Sequence, residues 1–169
     1  MGKTSIVYNQ VATKCGIDVA PSVLLESECC PGYFASHRFD KRNGQRIHMI
    51  SLAALYEISP GKGLLDYGHL FSATWKLTKD KTALEEVYRR MVFNVLAKNE
   101  DDHAKNFAFL YDEKRRSYIF SPAYDLTPSG SLLTHGMGIH HNLYRVWKIA
   151  MPWLPLLASA GNSWKKSIS

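Results

Sequence analysis

The most regular stretch of the chain lies at residues 82–97. Leu84, Val87, Tyr88, Met91, Val95 and Leu96 recur at i, i+3, i+4, i+7, i+11 and i+12, which makes one apolar stripe along a helix. Thr82 and Glu85 stand at the T-x-x-E spacing of a capping box and predict where that helix starts. Glu85–Arg89 and Glu86–Arg90 are i,i+4 pairs with the acid first, expected on its exposed face. Upstream, Ile6, Val7, Val11 and Cys15 predict a shorter helix over 4–15, with Gly16 as its stop. SVLLE (22–26) and YFASHRFD (33–40) read as two strands around a Cys-Cys-Pro-Gly turn. A short strand is expected at 46–50 and a helical SLAALYE at 51–57. A loop is expected over 58–70, where Pro60 and the glycines break any period.

Beyond the main helix the pattern turns polar, NEDDHAKN (99–106), and then alternates. FAFLY (107–111), DEKRRS (112–117) and YIF (118–120) predict a β-hairpin with a charged tip. SPAYDLTPSG (121–130) follows as a polar loop framed by prolines. A hairpin folded about residues 114–115 returns Ala123 and Tyr124 to the neighbourhood of Asn106, so Asp125 is expected beside the 99–106 loop. Asp101, Asn106 and Asp125 then converge. An oxygen set with few carboxylates, leaving room for water and phosphate, is what Mg²⁺ takes. Asp101 to Asn106 is also D-x-x-x-x-N, the offset of protein-kinase catalytic loops, where the Asp accepts a hydroxyl proton and the Asn holds Mg²⁺.

The strings NEDDHAKNFAFLYDE and SPAYDLTPSG closely resemble the C-terminal domain of HipA-like serine/threonine kinases. The family pattern is D-x-H-x-K-N, an apolar strand and a Y-D motif, here Asp101, His103, Lys105, Asn106, Tyr124 and Asp125. HRFDK (37–41) followed by IHMISLAAL (47–55) resembles the family's interlobe hinge and the segment after it. YNQVATKCGIDVAPSVLLE (8–26) resembles the end of its small lobe. The likeness spans residues 5–140 and fades after that.

The resemblance implies an α+β fold: a protein-kinase-like large lobe, mainly helical, with a small β-hairpin at the catalytic loop. A remnant of the small lobe with its hinge would occupy 1–40, the HipA-like lobe 41–140, and a divergent tail 141–169. It implies Asp101 as catalytic base, Asn106 and Asp125 as Mg²⁺ ligands, and ATP as phosphoryl donor to a protein hydroxyl. Asp102 is a rival base, but its offset to Asn106 is one short. The backbone around His37 and Phe39 would meet the adenine, with Phe39 as an apolar wall. Lys105 would reach a phosphate or cap the loop. His103 is expected to pack under the helix with a hydrogen bond to backbone, and Tyr124 to pack beside the metal carboxylate. A HipB-like DNA-binding antitoxin and a protein substrate are the implied partners. The family's glycine-rich loop and ATP-binding lysine belong before the region matched, and no G-x-G-x-x-G occurs here. A separate nucleotide-lobe chain is therefore a further expected partner, and a non-catalytic binding module or decayed fragment is the alternative.

Composition narrows this only a little. With 46% hydrophobic and 21% charged residues, the 169-residue chain excludes a disordered or low-complexity protein. The net charge is +6, but the basic residues are scattered and the Lys-Arg-Arg run at 114–116 falls on the hairpin tip. That dispersal argues against direct nucleic-acid binding. The apolar segment 149–160 is broken by Pro152 and Pro155, and no stretch reaches the ~18 residues of a membrane span. No signal peptide is visible, and the three cysteines, Cys15, Cys29 and Cys30, form no C-x-x-C pair. Reduced thiols in the cytoplasm are expected. His135, His140 and His141 are expected as surface histidines of a polar loop.

Overall fold

The computed structural model describes residues 2–30, 32–58, 65–99 and 101–127. The Gly61-Lys62-Gly63 segment, His135, His140, His141 and the tail 141–169 lie outside the described residues. The chain order is α1 (Gly2–Lys14), β1 (Ser22–Leu25), β2 (Tyr33–Ser36), β3 (Lys41–Arg42), β4 (Gln45–Arg46), β5 (Met49–Ser51), α2 (Leu52–Leu55), α3 (Tyr67–Thr78) and α4 (Lys81–Leu96). A 3₁₀ turn (Ala104–Asn106), β6 (Ala108–Asp112) and β7 (Ser117–Phe120) complete it.

The core is built on α4. Leu84, Val87 and Met91 are fully buried on its stripe, packed with Leu52, Tyr67, Leu70, Phe71, Phe107 and Phe109. Burying side chains of this size contributes roughly 1.5–3 kcal/mol each. Leu96, by contrast, lies past the end of the stripe and is 66% exposed. The expected Thr82–Glu85 box does not form. Asp80 caps the helix instead, accepting from the Thr82 N–H at 2.9 Å, and Glu85 turns to Arg89.

Opposite α4 lies a helix that the loop expectation for 58–70 missed. Asp66 accepts from the His69 N–H, and the His69 ring reaches back to the Asp66 N–H, so a box with histidine at its third position starts α3. Lys79, in the left-handed region at φ 52, ends it.

The expected hairpin forms and gains a strand. β6 is central in a three-stranded antiparallel sheet, with Ile50 opposite Phe109 on one side and Leu110 opposite Ile119 on the other. β1 and β2 pair antiparallel, Leu25 opposite Tyr33. β2 stops at Ser36 rather than residue 40 because Asn43 (φ 50) and Gly44 (φ 79) start a separate hairpin, β3–β4. An Asn-Gly turn with both φ positive matches the twist of the strands it joins.

A second cluster joins α1 to the far end of α4. Ala12, Ile17, Phe93, Ala123 and Leu126 are buried together. The Tyr8 ring meets Phe93 edge-on at 6.2 Å, and its hydroxyl donates to the Ala97 carbonyl at 2.5 Å. Between the two clusters sits an ion pair. Arg90 is 2% exposed and donates through Nε to Glu86 at 2.8 Å, so this pair is interior rather than on the solvent face. Its Nη2 donates to the Ser121 carbonyl at 2.8 Å and the Asp18 carbonyl at 3.4 Å.

Glu86→Ala strands the buried guanidinium and is expected to lower the unfolding free energy by about 3–5 kcal/mol. Arg90→Met, which removes the charge and fills the space, is expected to cost clearly less. Urea denaturation of the two variants checks the order.

Candidate active site

The loop after α4 is organised by a buried polar chain. Asn99 donates to Asn94 (3.1 Å), Asn94 donates to the Tyr67 hydroxyl (2.9 Å), and that hydroxyl donates to Asp102 Oδ2 (2.5 Å). Burial first, and then the Asp102 charge, push the Tyr67 phenol well above its ordinary value, so it remains a donor. Asp102 is thereby turned into the core, at 9% exposure. Its neighbour Asp101 keeps a carboxylate that is 47% exposed.

The 3₁₀ turn then presents Asn106. Its backbone N–H donates to the His103 carbonyl (2.9 Å) and its side-chain Nδ2 to the Asp101 carbonyl (3.1 Å). That second bond fixes the amide and leaves Oδ1 as the oxygen with ligand capacity. On the other strand Ser121 donates to Ala108, and the Tyr124 hydroxyl donates to the Lys105 carbonyl at 2.6 Å. Burial pushes the Tyr124 hydroxyl up to about 12, with the Asp125 charge adding and Arg90 opposing, so it stays protonated.

Asn106 and Asp125 consequently line one narrow cleft, together with Asn99, Asp102, Arg90 and Leu126. Asp125 is exposed and left-handed, at φ 57. Asp101 is not among the described residues lining that cleft. It joins the group through its carbonyl bond to Asn106. Lys105 carries an exposed side chain. His103 differs from its expected place: Nε2 lies 3.6 Å from Asp101 Oδ1, while Nδ1 is buried with no hydrogen-bond partner among the described residues.

Phe39 is half-buried against the Tyr124 ring, centroids 5.3 Å apart, so the segment after β2 abuts the Asp125 loop. His37 is exposed, and its N–H is already committed to the Pro21 carbonyl at 2.8 Å. Among the described residues no three His, Cys, Asp or Glu side chains converge as a metal centre. With Asp102 committed to Tyr67, the Asn106 amide oxygen and the Asp125 carboxylate are the pair on this cleft whose chemistry fits Mg²⁺ when waters and phosphate complete the shell.

Tyr67, Asn94 and Asn99 support the loop and have no role in the motifs read from the sequence, whereas Arg90, expected on an exposed face, supports it from the interior. Arg90 and Asn94 sit in phase with Val87 and Met91 on the apolar stripe, and a polar residue there was the available signal.

Two of the solved structures that share this backbone show its class. One is HipA of Shewanella oneidensis MR-1, from a toxin–antitoxin complex of HipA, HipB and operator DNA. Its TM-score is 0.73 at 20% identity, over 94% of this chain and 45% of HipA. The other is the Helicobacter pylori proinflammatory kinase CtkA, with TM-score 0.54 at 15% identity, over 74% of this chain and 44% of CtkA. The fold is therefore kinase-like. The family profile of the HipA-like C-terminal domain matches residues 4–164, and the chain belongs to that family. The match runs beyond residue 140, where the motif-level likeness fades. A curated relative, "Putative kinase Y4dM" of Sinorhizobium fredii, is 27% identical over 129 residues, 69% of this chain and 31% of that protein. The chain thus spans less than half the length of each of these three proteins.

Tyr67→Phe removes the donor to Asp102 and the acceptor for Asn94. A loss of about 1.5–3 kcal/mol of stability is expected for a bond to a charged group. Hydrogen exchange should show residues 99–106 opening more readily than α4.

Proposed function

We propose that this chain is the large lobe of a HipA-type serine/threonine protein kinase, moving the ATP γ-phosphate onto a protein hydroxyl. What carries the reading is the pairing of Asn106 and Asp125 on one cleft, with the Asn106 amide tied to the Asp101 backbone, inside a kinase-like fold of the HipA family. Asp101 is the base. Its half-exposed carboxylate takes the proton of the attacking hydroxyl, while Asp102 is held by Tyr67 and keeps the loop in place. Asn106 Oδ1 and the Asp125 carboxylate hold Mg²⁺, which when bound neutralises charge developing on the phosphate oxygens. Lys105 meets a phosphate. Phe39 forms the apolar wall for the adenine, with the backbone around His37 and Phe39 alongside. Tyr124 stays neutral and clamps the Asp125 loop to the 3₁₀ turn.

The phosphates also need a glycine-rich nucleotide lobe, in the same protein or from a second chain, since no G-x-G-x-x-G occurs in these residues. A HipB-like DNA-binding antitoxin as partner and a cytoplasmic location belong to the same proposal. They are supported by family membership, and no helix among the described residues is long and apolar enough to cross a membrane.

The test is Mg²⁺-dependent transfer from ATP, with the chain alone and with a glycine-rich lobe added. Asp101→Asn is expected to lower kcat by about 10²–10⁴-fold with the fold intact. Asp125→Asn is expected chiefly to raise the Mg²⁺ concentration required. Absence of transfer in both formats, or full activity in Asp101→Asn, would sink the catalytic reading and leave a non-catalytic binding module.

A further inference from the structure

The connection from β1 to β2 carries a feature unrelated to the cleft. Cys29 and Cys30 are adjacent there. Cys29 is exposed, Cys30 is half-buried, and all three cysteines of the chain are free thiols. The Ser27 hydroxyl oxygen lies 3.3 Å from Cys29 Sγ, beside the adjacent Cys30. The Tyr33 hydroxyl is at 3.9 Å from the same sulfur. The Ser27 hydroxyl is the main cause of a lowered pKa at both thiols, so each is more readily the thiolate than a free cysteine.

The return of the turn is fixed by Gly32. At φ 111, a Cβ there would stand 2.8 Å from the Leu25 carbonyl oxygen, so only glycine closes the hairpin this way. Adjacent residues have Cα atoms about 3.8 Å apart, inside the roughly 4.4 Å minimum of ordinary disulfides. An internal disulfide is therefore strained, and both cysteines are free thiols, Cys29 exposed and Cys30 half-buried.

We propose that Cys29 and Cys30 form a vicinal dithiol site that chelates a soft, thiophilic centre of low coordination number, with trivalent arsenic as its type. Soft thiolates favour soft centres. With phenylarsine oxide, two As–S bonds form and the arsenic–oxygen bond is lost. The oxygen leaves as one water carrying both thiol protons. Arsenic stays trivalent, so neither oxidant nor reductant is required. The second sulfur binds at high effective concentration, which separates this site from the single thiol of Cys15.

Intact-protein mass spectrometry with phenylarsine oxide tests this, whether or not the chain is a kinase. The unaltered chain is expected to take one equivalent that resists excess 2-mercaptoethanol and is released by 2,3-dimercaptopropanol. Cys29→Ser and Cys30→Ser are each expected to release it at about tenfold or more lower monothiol. Cys15→Ser should retain it. Cys29→Ala and Cys30→Ala, checked for native circular dichroism, guard against an effect of the serine hydroxyl. An adduct equally resistant in the Cys29 and Cys30 variants, or lost in Cys15→Ser, overturns the site.

Discussion

One buried guanidinium holds the cleft together. Arg90 projects from α4 and joins Glu86 on its own helix, the carbonyl of Asp18 on the segment after α1, and the carbonyl of Ser121 at the end of β7. Its other face lies 4.3 Å from the centre of the Phe120 ring. Glu86 also accepts the Asp18 N–H at 3.1 Å. Residues 18–20 and 123 then lace together, Ala123 donating to Asp18 and Ala20 donating to Ala123. Removing a charge pair from water costs several kcal/mol per ion, and burial does pull the Arg90 pKa down. The carbonyl bonds offset part of that cost. An apolar side chain of similar size supplies packing but no donor for the two carbonyls, and those carbonyls fix where the Asp125 loop begins.

The second constraint is a division between neighbours. Asp101 and Asp102 are chemically identical, yet the loop gives them opposite surroundings. Asp102 is drawn inward by a phenol whose own oxygen is held by Asn94, which Asn99 holds in turn. A buried carboxylate needs such donors, and this chain of bonds restrains the loop even though Asn99 Oδ1 has no hydrogen-bond partner among the described residues. With Asp102 fixed inward, Asp101 faces the other way, half-exposed, and its carbonyl is presented to the Asn106 amide. Tyr67 begins α3 and Asn94 lies in the last turn of α4, so the packing of those two helices in the main core sets the geometry of the loop between Asn99 and Asn106.

Much of this was legible in the sequence, and the failures have physical reasons. Local periodicity located α4 and the β6–β7 hairpin, and counting back from the turn placed Tyr124 near Asn106, whose neighbour Lys105 accepts the Tyr124 hydroxyl at 2.6 Å. The start of α4 was misplaced because Thr82 and Asp80 are both competent caps, and tertiary packing selected the earlier one. α3 was lost to a loop because its box uses histidine where glutamate or glutamine is usual. The Asn43-Gly44 turn is a strong hairpin signal, but it lies between the strands expected at 33–40 and 46–50, and the strands it joins are only two residues each. For Glu86–Arg90 the spacing was right but the environment was not. An i,i+4 pair looks the same on a solvent face and beneath a sheet, and only the long-range contacts to Asp18 and Ser121 distinguish them. The Tyr67–Asp102 bond joins residues distant in sequence and leaves no periodic trace at all.

The conformation of Asp125 follows from the same packing. Ala123 and Leu126 are both buried, at 2% and 7% exposure, and both belong to the cluster that holds Ala12, Ile17 and Phe93. Between them the chain reverses its outward course within two residues. Tyr124 is meanwhile held by Lys105 and packed at a tilt against Phe39. A residue in the left-handed region makes that reversal, at roughly 1–2 kcal/mol for an ordinary L-residue, and the buried neighbours on either side hold it there. Glycine would adopt the same turn with less strain, and asparagine or aspartate with only a little more. Of the three, aspartate alone adds a carboxylate to the cleft that Asn106 lines. The backbone demand at position 125 is therefore met by a residue that also carries a carboxylate, and the two buried anchors that impose the turn set where that carboxylate stands on the cleft.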